Sequence, residues 1–530
     1  MHIKRVIINN YRILRSADIS FANGTNIIVG NNDSGKSTLL EAINLALTGQ
    51  IGGRSIRYQL HPWLFNREAV QAYARQVAES GVSAAAPPEI LIELYLAPSP
   101  DLERLRGSNN TRQEDCPGLK MRISLDTSCA TIYSDYISRE NNITTLPIEY
   151  YSATWLSFAN EIVNSRFLAL KVQSVDPARI MFERGANRYL LEVIDNHLSK
   201  EQRVDLSLGY RKLKEDFIQK EEVRSINQEL EARSSEFSQK KVSIALDSIG
   251  TRSWEDGLLP HLDDIPMPLA GKGEQAASKI WMAMHRESAT NVFLVEEPEN
   301  HLSFSRLNQL VDEISRETSG KQLIVTTHSN FVINKLSIEK TIMFNRGESA
   351  SLSTLSEGTR QYFRKLPGHD TLRMILSKRA ILVEGPSDEL VVQRAYVAEY
   401  GRMPLSDGVD VISVRALAFL RFLEISSLLN TRTCVVTDND GSLEKLREKY
   451  GDHIRRPCDT ISIHFSDDEA LPSLEPQIVA ANPLQRMNSI LGRSDSTKES
   501  LVQWASNKKT KRSLRFAFST GMARLPFQIT

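Results

Sequence analysis

The feature that most constrains the fold is a short apolar run near the start of the chain that leads into a glycine-rich loop. NIIV is followed by GNNDSGKS (residues 30–37) and then by TLLEAINLAL, whose apolar residues recur at helical spacing. The loop has the pattern G-x-x-x-x-G-K-S, and this pattern acts as a phosphate site when it stands between a strand and a helix. The sequence therefore predicts an α/β fold built around such a loop.

The residue types of this loop suit the phosphates of a nucleoside triphosphate. Glycine lets backbone N–H groups curl around phosphate oxygens, and the N-terminus of the next helix adds partial positive charge. We expect Lys36 to reach the β- and γ-phosphates and the Ser37 hydroxyl to ligate Mg²⁺. The residues expected to line the nucleotide are Gly30, Asn31, Asn32, Asp33, Ser34, Gly35, Lys36, Ser37 and Thr38.

Three later segments carry groups that could complete the nucleotide site. NVFLV predicts a buried strand ending at Glu296 and Glu297, where one carboxylate can hold magnesium through water and the next can orient the attacking water. QLIVTT predicts a strand that ends at His328, although a histidine at a strand end is more often structural. A G-x-G turn before a predicted helix offers backbone N–H groups to a phosphate. Its residues are Gly271, Gly273, Glu274 and Gln275.

Together these segments resemble an ABC-type ATPase head of the RecF/SMC branch. Gly30–Ser37 match the Walker A loop, Gly271–Gln275 the signature, Glu296–Glu297 the end of Walker B, and His328 the switch histidine. The resemblance implies that two heads form a dimer in which the signature of one closes over ATP held by the other. Glu296 stands where the family usually has aspartate, and this departure bears on the rate of hydrolysis rather than on nucleotide binding.

The segment between the loop and these partners is too long for a simple connection. PEILIELYL, LKMRISLD and CATIYSDYI each predict a strand of one sheet. Residues 186–245 are highly charged with apolar residues at helical spacing, and they predict a helical insertion. Two interpretations of the insertion stay open, a dimerisation arm and a helical lobe packed on its own head. The heptads are too short for a long coiled coil.

A second group of acids lies in the last third of the chain. AILV predicts a strand ending at Glu384, with Asp388 one turn further, and TCVV predicts a buried strand ending near Asp438 and Asp440. The carboxyl ends of parallel strands meet at one edge of a sheet, so we expect these carboxylates to converge. Crowded carboxylates repel unless cations neutralise them, and oxygen ligands suit Mg²⁺ or Mn²⁺. Taken alone, however, a D-x-D after a strand is often only a capped turn.

The order and spacing of the E-G-x-x-D and D-x-D segments resemble the Toprim fold of topoisomerases, primases and several nucleases. An ABC head followed by Toprim resembles the OLD (overcoming lysogenization defect) family of endonucleases. The resemblance implies ATP and Mg²⁺ or Mn²⁺ as cofactors, two-metal cleavage of double-stranded DNA, and a bacterial anti-phage role. It also implies two further site residues, a metal-ligating acid that matches Glu475 and a C-terminal lysine that matches Lys509.

The predicted fold class is α/β, an ABC-type ATPase head with a helical dimerisation insertion followed by a Toprim α/β domain. Residues 1–185 and 246–360 are predicted to form the head and 186–245 the insertion. Residues 361–379 are predicted to form a connecting helix and 380–530 the Toprim nuclease domain.

Composition limits the compartment and the partners. Lys plus Arg and Asp plus Glu both number 65, so DNA would have to bind a local basic surface. The 4 cysteines form no C-x-x-C pair, which fits a reducing cytoplasm. No apolar segment reaches the length of a membrane span. We expect a cytoplasmic homodimer or higher oligomer, and the resemblance to the Gabija nuclease and to retron-linked OLD effectors implies a helicase or retron components as partners.

Other functions remain compatible with parts of the sequence. An ATP-driven DNA-binding or repair clamp of RecF/SMC type could carry a Toprim domain that does not cleave. A topoisomerase needs a tyrosine nucleophile, and none of the 14 tyrosines lies in a recognisable winged-helix setting. A primase needs a zinc module, which the cysteines do not supply.

Overall fold

The computed structural model describes residues 1–139, 145–164, 168–176, 198–234, 242–244, 258–284, 290–345, 347–365, 369–414, 418–451, 453 and 460–505. No helix in these parts of the chain is both long and apolar enough to cross a membrane.

An antiparallel sheet forms from the first part of the chain. Its strands are β1 (Ile3–Tyr11), β2 (Leu14–Ser20), β6 (Ile90–Leu96), β7 (Arg106–Gly107), β8 (Cys116–Leu125) and β9 (Tyr151–Ser157). They pair in the order β2-β1-β6-β8-β7, and β9 also pairs with β8. The predicted strands PEILIELYL and LKMRISLD are confirmed as β6 and β8.

The predicted strand CATIYSDYI is wrong, because most of it forms helix α3 (Ala130–Arg139). Tyr133 and Ile137, four residues apart, are buried, whereas Ile132 and Tyr136 are exposed. This spacing puts the buried pair on one face of a helix. The alternation that suggested a strand also fits a helix when only every fourth residue reaches the core.

A second sheet, mostly parallel, carries the glycine-rich loop. Its strands are β3 (Thr25–Val29), β10 (Val172–Val175), β13 (Val292–Glu296), β14 (Gln322–Thr326), β15 (Thr341–Asn345) and β16 (Glu348–Ser351), in the order β10-β13-β14-β3-β15-β16. Strands β13, β14 and β3 are almost entirely buried, as expected for a parallel sheet covered on both faces. Their neighbouring carboxyl ends bring the loop, the Glu296–Glu297 segment and the segment before His328 to one edge.

Further elements surround these sheets. The helices are α1 (Lys36–Thr48), α2 (Arg67–Ser80), α6 (Lys272–Met284), α7 (Phe304–Glu317) and α8 (Asn330–Leu336), and short hairpins form from β4 (Gln50–Ile51) with β5 (Arg54–Ser55) and from β11 (His261–Leu262) with β12 (Ile265–Pro266). Within the predicted insertion the structure describes α4 (Lys200–Ile218) and α5 (Glu221–Ser234). Helix α4 exposes several apolar side chains, namely Val204, Leu206, Leu208, Leu213 and Phe217.

A third sheet, parallel throughout, forms from the last part of the chain. Its strands are β17 (Arg379–Val383), β18 (Val409–Ser413), β19 (Arg432–Val436) and β20 (Ile461–His464), in the order β18-β17-β19-β20. The helices are α11 (Pro386–Tyr400), α12 (Phe419–Leu429), α13 (Leu443–Lys449), α14 (Leu474–Ala481), α15 (Leu484–Leu491) and α16 (Lys498–Ala505). The last three pack around a small apolar core of their own together with Val391 of α11.

Helix α9 (Glu357–Lys365) is held to this third sheet's layer by polar and aromatic contacts, and α10 (His369–Leu376) follows it. Glu424 of α12 accepts hydrogen bonds from the Ser356 backbone N–H, from Ser356 Oγ at 2.9 Å and from Thr359 Oγ1 at 2.5 Å. The Phe363 ring packs edge-on against Phe422 at 5.2 Å. One apolar cluster contains residues of both parallel sheets, so the two are joined through a shared core.

Candidate functional site

The glycine-rich loop is shaped by two close approaches that only glycine permits. A Cβ on Gly30 would lie 2.1 Å from the carbonyl oxygen of Phe344, and a Cβ on Gly35 would lie 2.8 Å from Leu14 Cδ2. Gly35 also has a φ of 97°, in the left-handed region. The two glycines of the pattern are therefore required by contacts with β15 and β2 as well as by the turn itself.

Lys36 is buried at the start of α1 and closes the loop. Its Nζ donates hydrogen bonds to the carbonyl oxygens of Gly30 at 2.9 Å and Asn31 at 3.0 Å. Burial lowers the pKa of Lys36, while the carboxylates of Glu297 and Glu296 oppose that shift. These carboxylates thus lie close enough to act on the same ligand.

The rest of the loop fits a phosphate group. The Ser34 hydroxyl is buried and has no hydrogen-bond partner among the described residues, which leaves a donor for an incoming oxygen. Asn31, Asn32 and Asp33 are exposed, and Ser37 and Thr38 lie in the first turn of α1. The predicted loop residues are therefore all contiguous at one helix N-terminus.

Glu297 is turned towards His328. Its φ of 39° lies in the left-handed region, and its N–H bonds to the Thr326 carbonyl oxygen at 2.9 Å. Glu297 Oε1 lies 3.1 Å from His328 Nε2, and Oε2 accepts from Asn300 Nδ2 at 3.0 Å. The hydrogen bond from His328 lowers the pKa of Glu297 to about 2. The side chain is therefore an ionised acceptor at neutral pH.

Glu299 is a third acid of this edge that the sequence analysis missed. Its Oε1 accepts from Thr327 Oγ1 and from the His328 N–H, both at 2.7 Å, and its Oε2 is buried without a partner among the described residues. Glu299 thus anchors the backbone that carries His328. The run E-E-P-E-N was visible, but only the turn after Glu297 brings the third acid back to the strand edge.

The predicted signature segment lies at the start of α6. Gly273, Glu274 and Gln275 stand in the first turn of α6, and a Cβ on Gly273 would lie 2.5 Å from the carbonyl oxygen of His301. Glu274 pairs with Arg306 of α7 at 3.4 Å. Among the described residues, no hydrogen bond or ion pair joins Gly271–Gln275 to the glycine-rich loop.

The second site forms where β17 and β19 end side by side. Glu384 Oε1 accepts from Thr437 Oγ1 at 2.7 Å and from the Asp438 N–H at 3.0 Å. Because both donors bond to the same oxygen, they fix the orientation of the Glu384 carboxylate. Within the described residues the other oxygen has no such bond and can face a ligand.

The remaining acids of this edge interact strongly with one another. Burial and then the charge of Glu384 raise the pKa of Asp388 to about 6. Burial, Glu384 and Asp388, in that order, raise the pKa of Asp438 to about 8, and the charges of Glu475 and Asp440 add to it. The charges of all five predicted carboxylates therefore act on one another at this edge.

Each of the acids is positioned by a local contact. Asp388 accepts from the Gly385 N–H at 2.9 Å and so caps α11. Asp440 has a φ of 49°, and its N–H donates to the Pro472 carbonyl oxygen at 3.1 Å. Glu475 is buried in the first turn of α14 and accepts from Ser473 Oγ at 3.2 Å. The predicted Lys509 lies outside the described residues.

The donor set of this edge suits a hard cation. Among the described residues no group of three or more His, Cys, Asp or Glu side chains is arranged to hold a metal ion at once. The ligands available are nevertheless carboxylate oxygens, the preferred partners of Mg²⁺ and Mn²⁺. A bound cation would also relieve the mutual repulsion that raises the pKa of Asp438.

Comparison with known families matches two segments of the chain. Residues 5–249 match the family described as AAA domain. Residues 375–440 match the family described as overcoming lysogenization defect protein-like, TOPRIM domain, and this segment contains Glu384, Asp388, Asp438 and Asp440. The chain therefore has an ATPase domain and an OLD-like Toprim domain.

Similar curated proteins match only a short segment. The DNA replication and repair protein RecF of Histophilus somni (strain 2336) is 44% identical over 64 residues, which is 11% of this chain and 18% of the relative. RecF of Pasteurella multocida (strain Pm70) is 37% identical over 81 residues, 14% of this chain and 22% of the relative. The chain thus spans about a fifth of the length of these relatives.

Similar solved structures include an Smc head bound to the C-winged helix domain of ScpA. It has 14% identity and a TM-score of 0.36, and the match covers 67% of this chain and 99% of that one. RecF bound to ATP, from the RecFOR pathway, has 13% identity and a TM-score of 0.33, and the match covers 66% of this chain and 99% of that one.

Proposed function

Because the chain joins an AAA-type ATPase domain to an OLD-like Toprim domain, we propose that it is an ATP-regulated, divalent-metal-dependent DNA endonuclease of the OLD type. The observation that supports the proposal is the electrostatic interaction of Asp438 with Glu384, Asp388, Asp440 and Glu475 near the ends of β17 and β19. Bacterial anti-phage defence in the cytoplasm is part of the proposal, with a helicase or retron components as candidate partners.

In this proposal the carboxylates hold Mg²⁺ or Mn²⁺, which would supply Lewis acidity at the scissile phosphate. Glu384 faces the cations with one oxygen, because Thr437 and the Asp438 N–H fix the other. Asp388, Asp438, Asp440 and Glu475 complete the ligand set. Lys509, beyond the described residues, is proposed to stabilise charge on the phosphate.

The ATP site is proposed to use the loop and its neighbouring strand ends. Lys36 would exchange its two carbonyl partners for phosphate oxygens, and Ser37 would ligate Mg²⁺ together with Glu296. Glu297, ionised and held by His328 and Asn300, would orient the attacking water. Gly271–Gln275 would meet the ATP of a second head.

The proposed boundaries are those predicted from the sequence, with the head at 1–185 and 246–360 and the Toprim domain at 380–530. The exposed apolar side chains of α4 support a dimerisation arm at 186–245, because a helix that leaves such residues in water gains by pairing them. Glu424 accepts hydrogen bonds from Ser356 and Thr359. These contacts support a rigid connection through which ATP binding at the head could change the nuclease site.

The test is cleavage of supercoiled and linear DNA with Mg²⁺ or Mn²⁺, with and without ATP, by the native chain and by Lys36→Ala. We expect metal-dependent cleavage by the native chain. Comparison with Lys36→Ala shows whether ATP binding activates or inhibits that cleavage. DNA that is bound but never cut, under every metal and nucleotide condition, would instead support a RecF-like clamp.

Metal binding is expected to tighten as pH rises. The pKa of Asp388 is raised to about 6 and that of Asp438 to about 8, so protons compete with the cation at pH 6, and Asp438 loses most of its proton only about one unit above pH 8. Titration calorimetry with Mn²⁺ at several pH values, in buffers of different ionisation enthalpy, should show rising affinity and proton release near pH 7. An affinity that stays constant from pH 6 to 9 would contradict this arrangement.

Loss of the Thr437 hydroxyl is expected to weaken metal binding without unfolding the chain. Thr437→Val keeps the side-chain shape but removes one of the two donors to Glu384 Oε1, and an outer partner of this kind is worth about tenfold in affinity. Thr437→Ser keeps the hydroxyl and should bind nearly as the native chain does. Electron paramagnetic resonance measures the Mn²⁺ affinity of each variant. Equal affinities of Thr437→Val and Thr437→Ser would show that the Thr437 hydroxyl does not support metal binding.

A further inference from the structure

A group of exposed aromatic rings and arginines lies in the segment that links α1 to the start of α2. It consists of Arg54, Arg57, Tyr58, Trp63 and Arg67, which we name the 54–67 surface. Tyr58 is 85% exposed and Trp63 is 73% exposed. Large rings so open to water are uncommon on a chain whose other aromatic residues mostly pack into cores, and they indicate a binding surface.

The rings are displayed by a rigid backbone. Ile56 and Leu64, each in a 3-10 turn beside one ring, are almost completely buried. The Leu64 carbonyl oxygen accepts from the Arg12 N–H at 2.7 Å, and the Asn66 side chain donates to the Arg12 carbonyl oxygen at 2.9 Å. Rings held outward by such anchors lose little entropy when a ligand stacks on them.

The charge of the surface is positive. Among the described residues Arg54, Arg57 and Arg67 have no carboxylate partner, whereas Glu68, the acid beside them, pairs with Arg15 at 3.3 Å. Nearby Glu41 is occupied by Tyr11 and by Arg12. The arginines are therefore available to an anionic partner.

We propose that the 54–67 surface binds nucleic acid with unpaired bases, which stack on Tyr58 and Trp63 while the arginines contact phosphates. Alternating aromatic and cationic side chains are what single strands use, and a duplex hides the faces of its bases. A second copy meeting the same surface would place arginine against arginine, with the polar Gln59 and His61 between the rings.

The inference deepens the proposed function. Leu64 and Asn66 bond to Arg12, and Arg12 pairs with Glu41 of α1, so the surface borders the helix that follows the phosphate loop. The inference rests on the proposed nuclease in that it names a substrate class, DNA that carries a single-stranded stretch such as a gap, flap or frayed end.

The test measures binding of a fluorescent oligothymidylate and of a blunt duplex of equal length, in EDTA so that nothing is cut. We expect the native chain to prefer the single strand, and Trp63→Ala to weaken it about tenfold. Trp63→Phe should retain most of the affinity, and tryptophan fluorescence should be quenched on binding. Arg57→Ala should lower the slope of log K against log salt by about 0.7, while Arg104→Ala, an exposed arginine elsewhere on the same sheet layer, should not.

Each outcome decides the inference, provided that the variants keep the native circular dichroism spectrum and thermal unfolding midpoint and so are folded. If Tyr58→Ala/Trp63→Ala binds the oligothymidylate like the native chain and still cuts DNA, the inference is wrong and the nuclease stands. If the native chain binds single strands through these rings but never cuts, the inference stands and the nuclease is wrong. A double variant that loses only self-association in sedimentation shows a protein interface instead and overturns it.

Discussion

Replacement of Glu384 by glutamine is expected to abolish DNA cleavage while DNA binding and ATP hydrolysis stay near native. Thr437 and the Asp438 N–H both donate to Glu384 Oε1, so the second carboxylate oxygen would be the one to hold a cation. The amide keeps the size of the side chain but removes the charge. Loss of a ligand that supports several kcal/mol of transition-state stabilisation corresponds to about a thousandfold or more in rate.

A stability measurement makes the Glu384→Gln result specific to this cluster. The charge of Glu384 raises the pKa of both Asp388 and Asp438. A carboxyl with a raised folded-state pKa stabilises the fold at low pH and loses that contribution as pH rises through the raised value. The metal-free variant should therefore be more stable than the metal-free native chain near pH 8, although it binds Mn²⁺ more weakly.

The matched control is Glu399→Gln. Glu399 is exposed on α11, about 16 Å along the helix from Asp388. The Glu399→Gln variant should cut DNA at the native rate and show the native dependence of stability on pH. Cleavage by Glu384→Gln at a rate within a few-fold of the control would show that Glu384 is not part of the nuclease site.

Replacement of Glu297 by glutamine is expected to stop ATP hydrolysis and to leave ATP binding intact. The hydrogen bond from His328 lowers the pKa of Glu297 to about 2, so the native side chain is an ionised acceptor beside the phosphate loop. The amide preserves the shape and the contact with Asn300 but lacks the charge and the second acceptor oxygen that would orient the attacking water. Loss of such positioning is expected to cost about a hundredfold or more, and steady-state phosphate release measures it.

The control for this variant is Glu348→Gln on β16, an exposed acid at the other side of the sheet. Binding of a fluorescent ATP analogue should be alike in native, Glu297→Gln and Glu348→Gln chains. Native hydrolysis by Glu297→Gln would show that another acid of this edge acts on the water, and Glu296→Gln and Glu299→Gln would then identify it.

Much of both sites could be predicted because their signals are local. A strand that ends in an acid, or a G-x-x-x-x-G-K-S loop before a helix, can be recognised within a dozen residues, and parallel pairing brings such ends to one edge. The matches at residues 5–249 and 375–440 support that interpretation. CATIYSDYI was wrong because its apolar residues fit two periods, and the choice depended on which of them reached the core.

Residues that act through distant contacts could not be predicted in this way. Glu299 and Thr437 are ordinary polar residues in sequence, and they matter because a turn or a neighbouring strand places them behind His328 and Glu384. Gly30 needs to be glycine partly because Phe344, far along the chain, passes beside it. Such contacts depend on packing, which no local pattern encodes.

By itself the sequence determined the α/β class, the phosphate loop and the acids at the ends of two later strands, since each depends on residues adjacent in the chain. Tertiary structure alone decided that Thr437 bonds to Glu384, that Glu299 holds the backbone of His328, and that the rings of Tyr58 and Trp63 stay in water. The physical reason is that charge repulsion, hydrogen-bond geometry and exposure depend on distances between atoms. Those distances exist only once separate segments have packed.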